Sequence, residues 1–213
     1  MGKSFVLVLA LALTACATKN DNVKVACIGD SITEGYAIEY QSVNSYPAQL
    51  AKQLGKGYEV MNFGRCSTTM MTDGDVPYWS VSEYANAMTY DANIVVIKLG
   101  TNDSKTYQWN ADKFRQSYQS MIDTLLAKKP QPQIKLCTPV PAYSHAWEIS
   151  DSVIVGSVIP IVNDLAARNN LQVIDLYTPM SGHPELFVED GIHPNEDGAK
   201  AIAEIVAKTI KKD

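Results

Sequence analysis

Four residues of this chain have the side chains and settings for acyl-transfer chemistry: Ser31, Asn102, Asp190 and His193. A serine hydroxyl is inert at neutral pH until a base takes its proton. Histidine is the usual base, and the chain has 3 of them, His145, His183 and His193. Asp190 stands three residues before His193. That D-x-x-H spacing can bring a carboxylate against the imidazole, fix its tautomer and stabilise the imidazolium. Asn102 supplies an uncharged N–H donor of the kind that can hold an oxyanion. Each residue also has an ordinary structural role open to it. Ser31 can cap the turn after a strand, Asn102 can form a local Asx-turn, and Asp190 and His193 can belong to a surface loop before a helix. Whether the fold brings the four together decides between the readings.

The elements that must position them alternate in type. Residues 23–28 read as a buried strand, and Ser45-Tyr46-Pro47 opens a helix through Leu50 and Leu54 that Gly55 and Gly57 close. Residues 58–62 form a short second strand, and the β-branched run 94–99 a central one. A helix over 110–128 carries Phe114, Tyr118, Met121, Ile122 and Leu125 on one stripe and stops before Pro130. Residues 134–137 and 173–176 read as the fourth and fifth strands, and 152–169 as a helix kinked at Pro160. The last helix, 197–211, is amphipathic, with Ala201, Ile202, Ile205 and Ile210 expected inward. Apolar strands separated by helices imply a parallel sheet covered on both faces, hence an α/β fold: a three-layer α/β/α sandwich with a five-stranded parallel sheet, flavodoxin-like in style.

Ligands of such sheets bind beyond the carboxyl ends of the strands. The loops there are Gly29-Asp30-Ser31, Asn62-Phe63-Gly64, Gly100-Thr101-Asn102-Asp103 and Asp190-Gly191-Ile192-His193-Pro194. The topology therefore predicts that all four reach one edge. The connection over 65–93 is too long for a simple crossover and is expected to be an ordered, functional excursion.

Read in order, GDSIT, NFG, GTND and DGIHPN resemble the blocks of the SGNH (GDSL-type) hydrolases, and they span residues 29 to 195. GDSIT, GTND and DGIHPN are the specific matches; NFG is weak by itself. The resemblance implies a serine esterase in which Ser31 attacks an ester carbonyl, His193 accepts its proton and Asp190 orients His193. It also implies an oxyanion hole made by the amides of Ser31 and Gly64 and the side chain of Asn102. Asp30 and Asp103 are expected to brace the loops by accepting backbone hydrogen bonds. The G-x-S-x-G elbow of the α/β-hydrolases is absent.

The first fifteen residues read as a secretory signal: Lys3 is their only charge, and the apolar run 5–13 is far shorter than the roughly 20 residues of a membrane span. Ala15-Cys16-Ala17 fits ordinary small-x-small cleavage, while Leu13-Thr14-Ala15-Cys16 resembles the bacterial lipobox, with cleavage before Cys16 and lipid attached to it. The second reading makes 16–22 a tether and 23–213 one hydrolase domain, exported and held at the periplasmic or cell-surface side of a bacterial membrane by its lipid alone. A net charge of -5 without a basic run offers no footprint for nucleic acid. Cys27, Cys66 and Cys137 have no C-x-x-C spacing, and with few histidines neither a thiolate zinc site nor a dinuclear phosphoesterase centre is expected. No nucleotide-binding glycine motif occurs, so no cofactor is expected.

The ester itself is less legible. Trp79, Trp109 and Trp147, with Tyr143, His145 and His183, fall in or near the connections at the carboxyl edge, where they could line a cleft or pack beneath it. Members of this family that are exported lipoproteins often resemble carbohydrate acetylesterases, which favours a short acyl group, acetyl, on a sugar. A lysophospholipase, arylesterase or thioesterase is the runner-up, and a metal-dependent phosphoesterase or non-catalytic binding lipoprotein the remote alternative. Lys98, a charge at the end of the most apolar strand, needs a carboxylate or carbonyl near it.

Overall fold

The computed structural model describes residues 22–211. The signal segment, Cys16 and most of the tether lie outside the described residues. In chain order the elements are β1 (Val23–Gly29), α1 (Ser31–Glu34), α2 (Gln41–Asn44), α3 (Tyr46–Leu54), β2 (Tyr58–Gly64), α4 (Ser82–Thr89) and β3 (Ile94–Lys98). They continue with α5 (Ala111–Leu126), β4 (Gln133–Cys137), α6 (Asp151–Val153), α7 (Ile159–Asn169), β5 (Gln172–Ile174), α8 (Tyr177–Met180) and α9 (Glu196–Ile210).

Among the described residues the five strands are all parallel, in the order β2-β1-β3-β4-β5. Side chains alternate across a strand, so the central strands are apolar on both faces for two separate cores. Ala26, Ile28, Val95 and Ile97 pack against Phe114, Tyr118, Met121 and Ile122 of α5 and Val162 and Leu165 of α7. Val25, Cys27, Ile94 and Val96 face the other way, against Tyr46, Leu50 and Leu54 of α3 and Ile202, Val206 and Ile210 of α9. This is the three-layer sandwich that the alternation of elements implies.

Local chemistry sets the helix ends. The Asn110 side chain caps α5 by accepting from Lys113 N at 3.0 Å, and Asn195 caps α9 by accepting from Gly198 N at 3.0 Å. Two expectations shift. The helix through Pro160 has a π-helical turn over Ile154–Val158, one residue short of the proline whose missing N–H breaks the regular ladder. On α9 the buried stripe runs through Ala199, Ile202, Ala203, Val206 and Ile210, leaving Ala201 and Ile205 half-buried at its flanks. The 65–93 excursion is ordered: it holds a 3₁₀ turn, α4, and a bridge between Thr69 and Pro77.

Candidate active site

The strand order reverses between β1 and β3, and the loops leaving those two strands carry Ser31 and Asn102. That is the crevice where an open parallel sheet binds ligands. The loop between α8 and α9 returns Asp190 and His193 to the same place, with His193 162 positions from Ser31.

Ser31 Oγ lies 2.8 Å from His193 Nε2, and His193 Nδ1 lies 2.8 Å from Asp190 Oδ2. An ionised carboxylate can only accept, so Nδ1 carries the proton and the Nε2 lone pair faces the Ser31 O–H. Asp190 is itself fixed: its Oδ1 accepts from Ile192 N at 2.7 Å and His193 N at 2.8 Å. The D-x-x-H spacing thus closes a turn on its own carboxylate and leaves the second oxygen for the imidazole. Tyr36 and Trp147 flank the ring, with centroids 4.5 and 5.2 Å from that of His193.

The Ser31 turn is held from below. Asp30 caps α1 by accepting from Ile32 N at 3.0 Å. Its carboxylate also receives Lys98 Nζ at 3.1 Å, and the ammonium donates again to Thr101 Oγ1 at 2.7 Å. Burial pushes the Lys98 ammonium below its ordinary pKa, and the Asp30 carboxylate counters it. Lys98 therefore ties the loop of Ser31 to the loop of Asn102.

Gly64 is not where the oxyanion reading needs it. Its N–H donates to Asn62 Oδ1 at 2.8 Å, and it borders a different groove, with Glu34 and Asn62. It pairs with Gly29 in the sheet, and both are glycine for close approach. A Cβ on Gly29 would lie 2.0 Å from Thr33 Oγ1, and one on Gly64 would lie 2.2 Å from Glu34 N. The pair seats α1 directly on the strand ends.

The residue that takes the place at the cleft is Ser67, which the sequence reading missed. It lines the same cleft as Ser31, Asn102 and His193, with φ +65°. Its N–H, like that of Ser31, has no partner among the described residues. Glu34, three residues after Ser31, accepts from Cys66 N at 2.5 Å and so anchors the Ser67 turn to α1. Asn102 is buried and donates one Nδ2 hydrogen to Thr68 O at 3.1 Å, leaving the other for a ligand. The carboxylate of Asp103 accepts from Met70 N and Met71 N at 2.9 and 2.8 Å. Both expected braces are thus in bracing positions. Burial raises the Asp103 carboxyl to about 7.

The cleft is small and open, about 180 Å³, lined by Ser31, Tyr36, Cys66, Ser67, Asn102, Lys105, Trp147, Ile149 and His193. Burial and the neighbouring Glu34 push the Cys66 thiol up to about 12, which leaves it protonated beside the serine. Among the aromatic and histidine candidates, Trp147 alone lines this cleft. Trp79 donates to Met70 O and packs on the core, and Trp109 packs on Phe114. Tyr143 donates to Met180 O, His183 pairs with Glu185, and His145 is exposed at the start of a 3₁₀ turn. Tyr36, five residues after Ser31, lines the cleft as well. Among the described residues no group of three or more His, Cys, Asp or Glu could hold a metal ion.

An acetylxylan esterase of Xylanibacter ruminicola is 44% identical to the chain over 213 residues, covering 92% of the chain and 44% of that protein. The chain thus spans less than half the length of this relative. Among solved structures, the inhibitor-bound aryl esterase of M. smegmatis aligns with a TM-score of 0.74 at 20% identity, over 89% of this chain and 98% of that one. A carbohydrate acetylesterase from Sinorhizobium meliloti aligns with a TM-score of 0.71 at 19% identity, over 89% and 98%. At those identities the two structures speak for the fold. Residues 27–201 match the GDSL-like Lipase/Acylhydrolase family, and the chain belongs to it.

Proposed function

We propose that the protein is a serine esterase that removes acetyl groups from carbohydrates through an acetyl-enzyme. The observation that carries the reading is the continuous relay from Ser31 Oγ through His193 to Asp190, beside unpaired donors in a cleft sized for a short acyl group. Ser31 Oγ attacks the ester carbonyl carbon as His193 Nε2 takes the hydroxyl proton, and Asp190 stabilises the imidazolium. The carbonyl oxygen becomes an oxyanion held by the amides of Ser31 and Ser67 and by Asn102 Nδ2. Collapse breaks the ester C–O bond, and the departing sugar oxygen takes the proton from His193. Water then attacks the acetyl-enzyme, again giving its proton to His193, and acetate leaves with Ser31 restored.

The acetyl and sugar assignments draw support from the 44% identical acetylxylan esterase and from the cleft volume, below the about 300–1,000 Å³ of sites that enclose larger ligands. The test is hydrolysis of p-nitrophenyl esters of increasing chain length beside acetylated xylo-oligosaccharides, by wild type and Ser31→Ala. The reading requires acetyl preference, activity on the sugars and loss of both in the variant. Equal activity of the two proteins defeats the nucleophile assignment, and a long-chain preference defeats the acetyl assignment. We also propose lipid attachment at Cys16, on the strength of Leu13-Thr14-Ala15-Cys16. Membrane fractionation of Cys16→Ser tests it: release of the variant supports the anchor, and unchanged association removes it.

A further inference from the structure

Among the described residues lining the cleft, Lys105 is the one carboxylate or ammonium group, and the relay does not use it. Its side chain is only 11% exposed. A lysine that far from water needs partners, and its ammonium meets Asp75 Oδ2 at 3.0 Å and lies within hydrogen-bond reach of the Tyr107 hydroxyl. Lysine carries three donors, so one is left for something that enters the cleft.

The arrangement is built rather than incidental. Asn102 and Lys105 are three residues apart at the two ends of a 3₁₀ turn over Asn102–Ser104, and side chains at that spacing eclipse. The oxyanion donor and the ammonium therefore share one face. The 65–93 excursion delivers Asp75, and Gln108 fixes it there: Gln108 Oε1 accepts from Asp75 N at 2.9 Å while Gln108 Nε2 donates to Asn102 O at 2.8 Å. Tyr107 donates its hydroxyl to the same Asp75 oxygen. Trp147, with 51% of its surface exposed, also lines the cleft and presents an apolar ring. Its backbone sits in the left-handed region at φ +52°, ψ +28°.

We propose that Lys105, oriented by Asp75 and Tyr107, forms the alcohol-side subsite and donates a hydrogen bond to a hydroxyl of the esterified sugar that neighbours the acetylated carbon, with Trp147 supplying the apolar wall. This deepens the esterase reading and rests on it. The ligand is a neutral polyol, because Asp75 already balances the ammonium charge and an acidic sugar would compete with that carboxylate. A flat aryl acetate has no such hydroxyl and gains nothing from Lys105.

The measured quantity is the ratio of kcat/KM for acetylated xylo-oligosaccharides to that for p-nitrophenyl acetate. Lys105→Met is expected to lower the ratio about ten- to a hundredfold, chiefly through KM on the sugar, since a hydrogen bond to a charged group is lost. Lys105→Gln, which keeps a donor, and Tyr107→Phe are expected to lower it less. In a Ser31→Ala background, calorimetric binding of the same oligosaccharides is expected to weaken by a similar factor on adding Lys105→Met, so a binding readout exists without turnover. An unchanged ratio, or binding unaffected by Lys105→Met, overturns the subsite. So does an altered preference between p-nitrophenyl acetate and butyrate at constant ratio, which would place Lys105 on the acyl side. Preference for uronic-acid-bearing over neutral oligosaccharides, abolished in Lys105→Met, overturns the neutral-polyol assignment. Failure of the esterase reading looks different: Ser31→Ala would stay active, or wild type would hydrolyse p-nitrophenyl acetate and neither hydrolyse nor bind the sugars.

Discussion

Lys98 Nζ lies 3.1 Å from Asp30 Oδ2, with the two side chains 1% and 0% exposed, and so joins the carboxyl ends of the neighbouring strands β3 and β1 directly beneath the Ser31 turn. Removing one partner of a buried ion pair strands the other charge, at a cost of about 3–5 kcal/mol. Lys98→Met should therefore lower the unfolding free energy by about that amount in urea titrations. Adding Asp30→Asn should recover part of it, because the amide oxygen still caps α1 while the stranded charge is gone. Equal stability of Lys98→Met and wild type would mean that the pair contributes nothing net.

Asp190→Asn separates orientation from folding. The Asn oxygen can still accept from Ile192 N and His193 N, so the turn should survive and the melting temperature should move little. The second position then presents an amide N–H to His193 Nδ1, favouring the tautomer with its proton on Nε2, which cannot take one from Ser31. We expect kcat on p-nitrophenyl acetate to fall by about 10⁴. A loss below tenfold would show that His193 keeps its tautomer without Asp190.

Much of this site was legible because residue type and topology agreed. A serine after one strand, an asparagine after another and D-x-x-H after the last must converge if the sheet is parallel, and the apolar strands made it parallel. The aromatic residues were less legible, since a connection near the carboxyl edge does not say whether a ring turns toward the cleft, like Trp147, or into the core, like Trp109. Gly64 was misassigned for a physical reason: its glycine serves the contact with α1, and its N–H is taken by Asn62. Ser67 left no sequence signal, because a serine in the left-handed region looks like any loop serine until the backbone is seen.

The oxyanion donors can be told apart by substitution. Asn102→Ala removes a side-chain donor and should lower kcat by about 10²–10³ with KM changed far less. At Ser67 the proposed donor is the backbone, so Ser67→Ala and Ser67→Gly should each keep activity within about fivefold. The glycine variant should also be about 0.5–1 kcal/mol more stable, because relief of strain at φ +65° outweighs the extra backbone entropy that glycine loses on folding. A large kcat loss in Ser67→Ala would move the role to the hydroxyl. Gly64→Ala should instead appear as destabilisation, since its methyl would meet Glu34 N at 2.2 Å.

Asp103 should give stability a pH dependence of its own. Burial raises its carboxyl from 3.8 to about 7, against the pull of the Met70 and Met71 amides. Below about pH 3.8 both folded and unfolded chains hold the proton, and the group costs folding nothing. As pH rises toward 7 the unfolded chain releases its proton while the folded one keeps it, so stability is lost across that window and levels off above it. At 1.36 kcal/mol per pKa unit, the loss is on the order of 4 kcal/mol. Asp103→Asn does not titrate and gives up one amide partner at every pH. The stability of wild type minus that of Asp103→Asn, followed by urea unfolding from pH 4 to 8, should therefore fall through this range and then flatten. A difference that rises with pH would mean that the two amide hydrogen bonds outweigh burial and hold Asp103 ionised in the folded protein.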